Sequence, residues 1–185
     1  MKQDIISERI EIPKGITVSI GSGNWVSVKG PKGEIKKHML NAFVRVALEG
    51  NTIVIESKNA SRRQKKLIYT FKAHVNNMFK GVVTPWVYKM KICAGHFPMN
   101  VAIQGDKLIV KNFLGEKVPR IVKIKSGAKV VLQDKDITVE SADKERAGNV
   151  ASDIEQLMRI TGGRDLRKFQ DGIYITSKAG KEVAK

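Results

Sequence analysis

The chain states one pattern twice, and this repetition restricts its fold more than any other feature. Lys29-Gly30-Pro31-Lys32-Gly33-Glu34 aligns with Lys111-Asn112-Phe113-Leu114-Gly115-Glu116 at an offset of 82 residues. Ile53-Val54-Ile55-Glu56-Ser57 aligns with Ile137-Thr138-Val139-Glu140-Ser141 at an offset of 84. Order and spacing recur together, as they do in a duplicated unit. The chain therefore reads as α+β, with two tandem homologous domains, each an antiparallel sheet covered by one helix. The expected boundaries are residues 1–82, residues 83–176 and a basic tail, 177–185.

Each copy runs the same course. Thr17 to Ile20 and Trp25 to Val28 alternate apolar and polar residues, the period of a half-buried strand. A turn at Gly30-Pro31-Lys32-Gly33 leads into a basic strand from Glu34 to His38. Phe43 to Leu48 and Thr52 to Glu56 flank the Gly50-Asn51 turn. A helix then starts at Ser61, which forms a capping-box pattern with Gln64. Its apolar stripe is Leu67, Ile68, Phe71, Val75, Met78 and Phe79, and Gly81 is expected to end it. Arg62, Arg63, Lys65, Lys66 and Lys72 crowd its first turns, against the helix dipole, a cost that an external anion, the cap or packing could offset. A strand from Thr84 to Gly95 joins the copies.

The second copy repeats the series. Its expected strands are Val101 to Ile103, Lys107 to Lys111, Glu116 to Lys125, Lys129 to Leu132 and Ile137 to Glu140. A helix follows from near Asp143 and stops at Gly162-Gly163. Residues 164–175 have no counterpart in the first copy.

Charge indicates the partner. The chain carries 34 Lys and Arg against 18 Asp and Glu, a net +16. Both halves share the excess: residues 1–82 hold 15 basic and 6 acidic side chains, and residues 83–185 hold 19 and 12. A polyanion is the natural partner for such a chain. Aromatics make up 6% and include no paired stacking signature, so recognition by phosphate and shape fits better than base-by-base reading. Enzyme chemistry finds no footing: no nucleotide-binding glycine loop precedes a helix, and His38, His74 and His96 lie far apart. No catalytic residue, cofactor or metal is expected. Cys93, the single cysteine, sits in an apolar run and reads as a core residue. No segment approaches the length of a membrane span, the N-terminus does not read as a signal peptide, and the glycosylation pattern at Asn59-Ala60-Ser61 has no bearing without secretion. A free RNA-binding regulator and an RNA-modifying enzyme are the rival readings.

Three segments carry a family resemblance. They are Thr70-Phe71-Lys72-Ala73-His74-Val75-Asn76-Asn77-Met78; Ala94-Gly95-His96-Phe97-Pro98-Met99-Asn100-Val101 with Asn112-Phe113-Leu114-Gly115-Glu116-Lys117; and Arg167-Lys168-Phe169-Gln170-Asp171-Gly172-Ile173-Tyr174-Ile175. Together they resemble the large-subunit ribosomal protein called six in bacteria and nine in eukaryotes, in an archaeal variant. The resemblance implies a cytoplasmic ribosomal protein on large-subunit rRNA, near the sarcin–ricin loop and the stalk base. Neighbouring large-subunit proteins would be partners, with translational GTPases docking nearby. It places RNA contacts at Lys111, Asn112, Lys117, Arg164, Arg167, Lys168, Tyr174 and Lys178. His96 matches the motif opening the second domain, with packing and RNA contact both open as roles. The chain departs from the family at Gly162-Gly163-Arg164, one residue longer than the usual spacing, and in lacking the bacterial C-terminal ending.

Overall fold

The computed structural model describes residues 3–39 and 41–183. The chain divides into two compact units, Met1–Pro85 and Trp86–Lys185.

In the first unit, β1 (Gln3–Glu11), β6 (Thr52–Ala60) and β5 (Arg45–Glu49) form one antiparallel sheet in the order β1-β6-β5. A second sheet runs β2 (Thr17–Gly21), β3 (Trp25–Gly30), β4 (Gly33–His38). Helix α1 (Arg62–Val83) packs on both, burying Ile68, Phe71, Val75, Met78 and Val82. Its N-cap is Ser61, and the reciprocal Ser61–Gln64 box is present as the sequence predicts.

The second unit repeats this plan and adds to it. β8 (Asn100–Gln104), β9 (Lys107–Lys111) and β10 (Arg120–Lys123) correspond to β2, β3 and β4. The other sheet contains β7 (Trp86–Cys93), β11 (Lys129–Gln133), β12 (Asp136–Ser141), β13 (Gly172–Lys178) and β14 (Lys181–Glu182), in the order β11-β12-β7-β13-β14. Helix α2 (Lys144–Leu157) covers it, burying Ala147, Val150, Ala151 and Ile154. The aligned isoleucines hold equal places. Ile53 lies between Ile10 and Leu48, Ile137 lies between Met90 and Leu132, and both are fully buried.

Several expectations change. The strand taken as a join is the first strand of the second copy, the counterpart of β1. β1 itself escapes the alternation test because Glu8 occupies an inward position, held by Lys72 at 2.7 Å. The α1 helix passes through Gly81 to Val83, because a hydrogen bond from the distant hairpin supports its last turn: the Lys32 N–H donates to the Val82 carbonyl at 2.9 Å. Pro85 then holds Thr84 extended and stops it. The α2 helix ends at Leu157, five residues before Gly162. The strand expected over Glu116 to Lys125 shortens to Arg120–Lys123; Pro119 has no N–H for a ladder, and Phe113–Gly115 forms a 3-10 turn. Cys93 is half-buried and shares a strand face with Lys89 and Lys91, so it is not a core residue. Ser177 and Lys178 belong to β13 and pair with Glu182 and Lys181, so sheet structure enters the segment expected to be a tail. Ala184 and Lys185 lie outside the described residues.

Candidate nucleic-acid interface

All the sequence-derived residues but Lys178 gather at or beside the place where three loops of the second unit meet: 94–99, 112–119 and 159–171. Asp171, 2% exposed, organises them. Its Oδ1 accepts the backbone N–H groups of Gly95 at 2.5 Å and His96 at 3.0 Å, and its Oδ2 meets His96 Nδ1 at 2.6 Å. Burial pushes the Asp171 carboxyl up, but these three partners outweigh it and leave it below the ordinary aspartate value. The His96 ring in turn packs on Phe169, with centroids 4.9 Å apart. The His96 side chain is thus built into the packing, while its ring stays partly open to solvent.

Arg164 ties the third loop to the second. Its Nη1 donates to the Leu114 carbonyl at 3.4 Å, and its guanidinium lies 5.8 Å from the Phe169 ring centre. The turn it meets is sharply bent: Asn112, Leu114 and Gly115 have φ of 59°, 49° and 80°. Two of these are non-glycine residues in the left-handed region, a conformation that surrounding contacts must hold. Asn112 Nδ2 donates to the Pro98 carbonyl at 3.0 Å. Arg120 clamps the far side. It donates to both oxygens of Glu116 at 2.8 and 2.6 Å, and through Nη1 to the Leu157 and Arg159 carbonyls at 2.6 and 3.1 Å. Its guanidinium also stacks 4.3 Å over Phe113. The Arg120 hydrogen bonds hold the Glu116 carboxyl below the usual range. A cation on the open carbonyls of α2's end suits the negative pole of that helix.

Around this fixed framework, the predicted residues divide into groups. Asn112 and Arg164 are structural ties as well as surface groups. Lys111 and Lys117 flank the bent turn, and Lys168 sits on the third loop; all three are exposed, with no side-chain partner among the described residues. Arg167, its side chain 91% exposed, leans on Asp165 at 3.2 Å. Tyr174 is 43% exposed and donates to the Gln170 carbonyl at 3.1 Å, which joins it to the end of the third loop. Burial raises its hydroxyl's pKa. Lys178 stands apart, at the far end of β13, about 20 Å along the strand from Gly172.

Sequence reasoning missed Asp171, Arg120, Lys89 and Lys91. Tyr174 pairs with Lys91 and Ser177 with Lys89, so the exposed lysines of β7 extend the basic surface beside Tyr174. The signal was present: lysines at period two inside an otherwise apolar run mark the outward face of a strand. Among the described residues, no helix is long and apolar enough to cross a membrane.

Comparison with known proteins agrees with this organisation. The family described as Ribosomal protein L6 matches residues 12–84 and again residues 97–172, one match in each unit. The large ribosomal subunit protein uL6 of Nanoarchaeum equitans is 45% identical over 190 aligned positions, covering 99% of this chain and 98% of that one. Its counterpart in Aeropyrum pernix is 45% identical over 177 positions, covering 95% and 96%. That of Methanobrevibacter smithii is 42% identical over 173, covering 94% and 96%.

Proposed function

Because the chain belongs to the ribosomal protein L6 family, we propose that it holds folded large-subunit rRNA through the three-loop surface of its second unit. As a member of that family it is a structural constituent of the large subunit of the cytoplasmic ribosome, not an enzyme. Its contacts are Lys111, Asn112, Lys117, Arg164, Arg167, Lys168 and Tyr174 at or beside these loops and Lys178 farther along β13, spread over residues 83–176 and the segment that follows. The rRNA region is the neighbourhood of the sarcin–ricin loop and the stalk base, where translational GTPases dock, and neighbouring large-subunit proteins complete its surroundings.

One observation carries the reading. Lys111, Lys117 and Lys168 lack counter-ions among the described residues, yet they stand on, or in the case of Lys111 at the strand end beside, loops pinned by Asp171, Arg164 and Arg120. Cations on a fixed frame match a fixed pattern of phosphates without first being ordered. Arginine adds a planar fork for phosphate and a face for stacking.

The test is binding of the full chain to large-subunit rRNA across a salt series. Each neutralised phosphate contributes about 0.7–0.9 to the slope of log affinity against log salt. Replacing Lys111, Lys117 and Lys168 with Gln should lower that slope by about 2 to 3. An unchanged slope, or a protein that never sediments with large subunits, refutes the reading. A chemical footprint away from the sarcin–ricin and stalk-base region refutes the placement alone.

A further inference from the structure

The two helices occupy the same place in the duplicated plan but carry opposite charge. α2 contains Lys144 and Arg146 against Glu145, Asp153 and Glu155, with the acidic Asp143 as its cap. α1 contains Arg62, Arg63, Lys65, Lys66, Lys72 and Lys80 and no acidic residue at all. The fold does not require an excess of cations at this position, since the second copy builds the same packing on a helix whose two cations are outnumbered by its acids. Among the described residues, only Lys72 of these has a side-chain partner, Glu8 at 2.7 Å. Among the described residues, Arg62, Arg63, Lys65 and Lys66 have no side-chain partner, and all four are exposed.

The placement is equally telling. Arg62, Lys66, Tyr69 and Ala73 follow at intervals of four, three and four, which puts them on one outward face. Tyr69 is 46% exposed within this cationic stripe. The Ser61 hydroxyl already accepts from the Arg63 N–H, so an anion on this outward face would be held mainly by side chains.

We propose that the outward face of α1's first three turns is a second RNA-phosphate contact, separate from the loops of the second unit. It rests on the rRNA reading above. An RNA strand fits this face better than a protein does. The cores of protein interfaces are poor in lysine and are anchored by apolar groups, whereas the large apolar groups exposed on α1 are Tyr69 and Val83 alone. Consecutive cations with one aromatic suit phosphates, with Tyr69 available to stack on a base or sugar edge.

The experiment uses the full chain assembled into large subunits. With Cys93→Ser removing the native thiol, a hydroxyl-radical source is tethered at Ala73→Cys and, in a second protein, at Leu166→Cys on the third loop of the second unit. Strand cleavage of large-subunit rRNA from both positions is the expected result. Cleavage from Leu166→Cys with Ala73→Cys silent, or with protein cut in place of RNA at Ala73→Cys, overturns the α1 contact and leaves the rRNA reading standing. Silence from both overturns both. A Gln triple at Arg62, Arg63 and Lys66 should lower the salt slope for rRNA binding by about 2 with the fold intact by circular dichroism. An unchanged slope also overturns the proposal.

Discussion

Replacing Asp171 with alanine should destabilise the second unit by about 3–5 kcal/mol. The carboxylate is 2% exposed and serves three donors. Its removal leaves the part-buried Gly95 and His96 N–H groups without their acceptor, at about 1–2 kcal/mol each, the lower part of the range for an orphaned donor. The bond to the partly exposed His96 ring adds about 0.5–1 kcal/mol, since water replaces it in part. Asp171→Asn keeps Oδ1 for both amides and should cost about 1–2 kcal/mol. The chain has two tryptophans, Trp25 and Trp86, one in each unit. Urea unfolding followed by fluorescence in a Trp25→Phe background therefore reports on Trp86 and the second unit alone. Acid adds a check on sign. The folded Asp171 carboxyl titrates below its unfolded value, so its contribution is complete above the ordinary aspartate pKa, about 3.9, and is lost as pH falls through the lower folded value. The Asn variant should lack that part of the acid dependence. If both variants unfold within about 0.5 kcal/mol of the parent, Asp171 does not organise the loops and the reasoning fails.

Other substitutions probe separate links. Arg120→Ala should cost about 2–4 kcal/mol in the same unfolding assay, because it uncaps the Leu157 and Arg159 carbonyls and frees Glu116. Gly30→Ala should destabilise the first unit by about 1–3 kcal/mol, read through Trp25 fluorescence, since an added Cβ would stand 2.8 Å from the Val82 side chain. Ser61→Ala should lower first-unit stability by about 1 kcal/mol through loss of the N-cap, measured by thermal circular dichroism.

What could be read in the sequence was what neighbours along the chain decide. The start of α1 depends on Ser61 and Gln64, three residues apart, and was legible. The repeat was legible because Ile53 and Ile137 recur in runs that the buried faces of both sheets demand. The end of α1 was not legible, because the hydrogen bond that supports it comes from Lys32, fifty residues earlier. β1 was hidden by Glu8, an acid on an inward face made tolerable by Lys72. At the candidate interface, motif and charge pointed to Lys111, Arg164 and Lys168, but not to Asp171 or Arg120, whose importance lies in groups that only folding brings close. Lys178 shows the converse: proximity in a motif did not bring it to the loops.

The late return of β13 has a consequence for synthesis. In the first unit every strand precedes α1, and Ile10 pairs with Ile53, 43 residues later. In the second, Cys93 at the end of β7 waits for Gly172, 79 residues later and beyond α2. A nascent chain grows from its N-terminus, so the first unit has all its strands and its helix in hand while β7 still presents a bare ladder edge. That edge is a template for pairing with any stray strand until the last segment closes it. The interval between making α2 and releasing β13 is therefore when this chain is most exposed to misassembly, and a ribosome stalled within it would hold out an unfinished sheet.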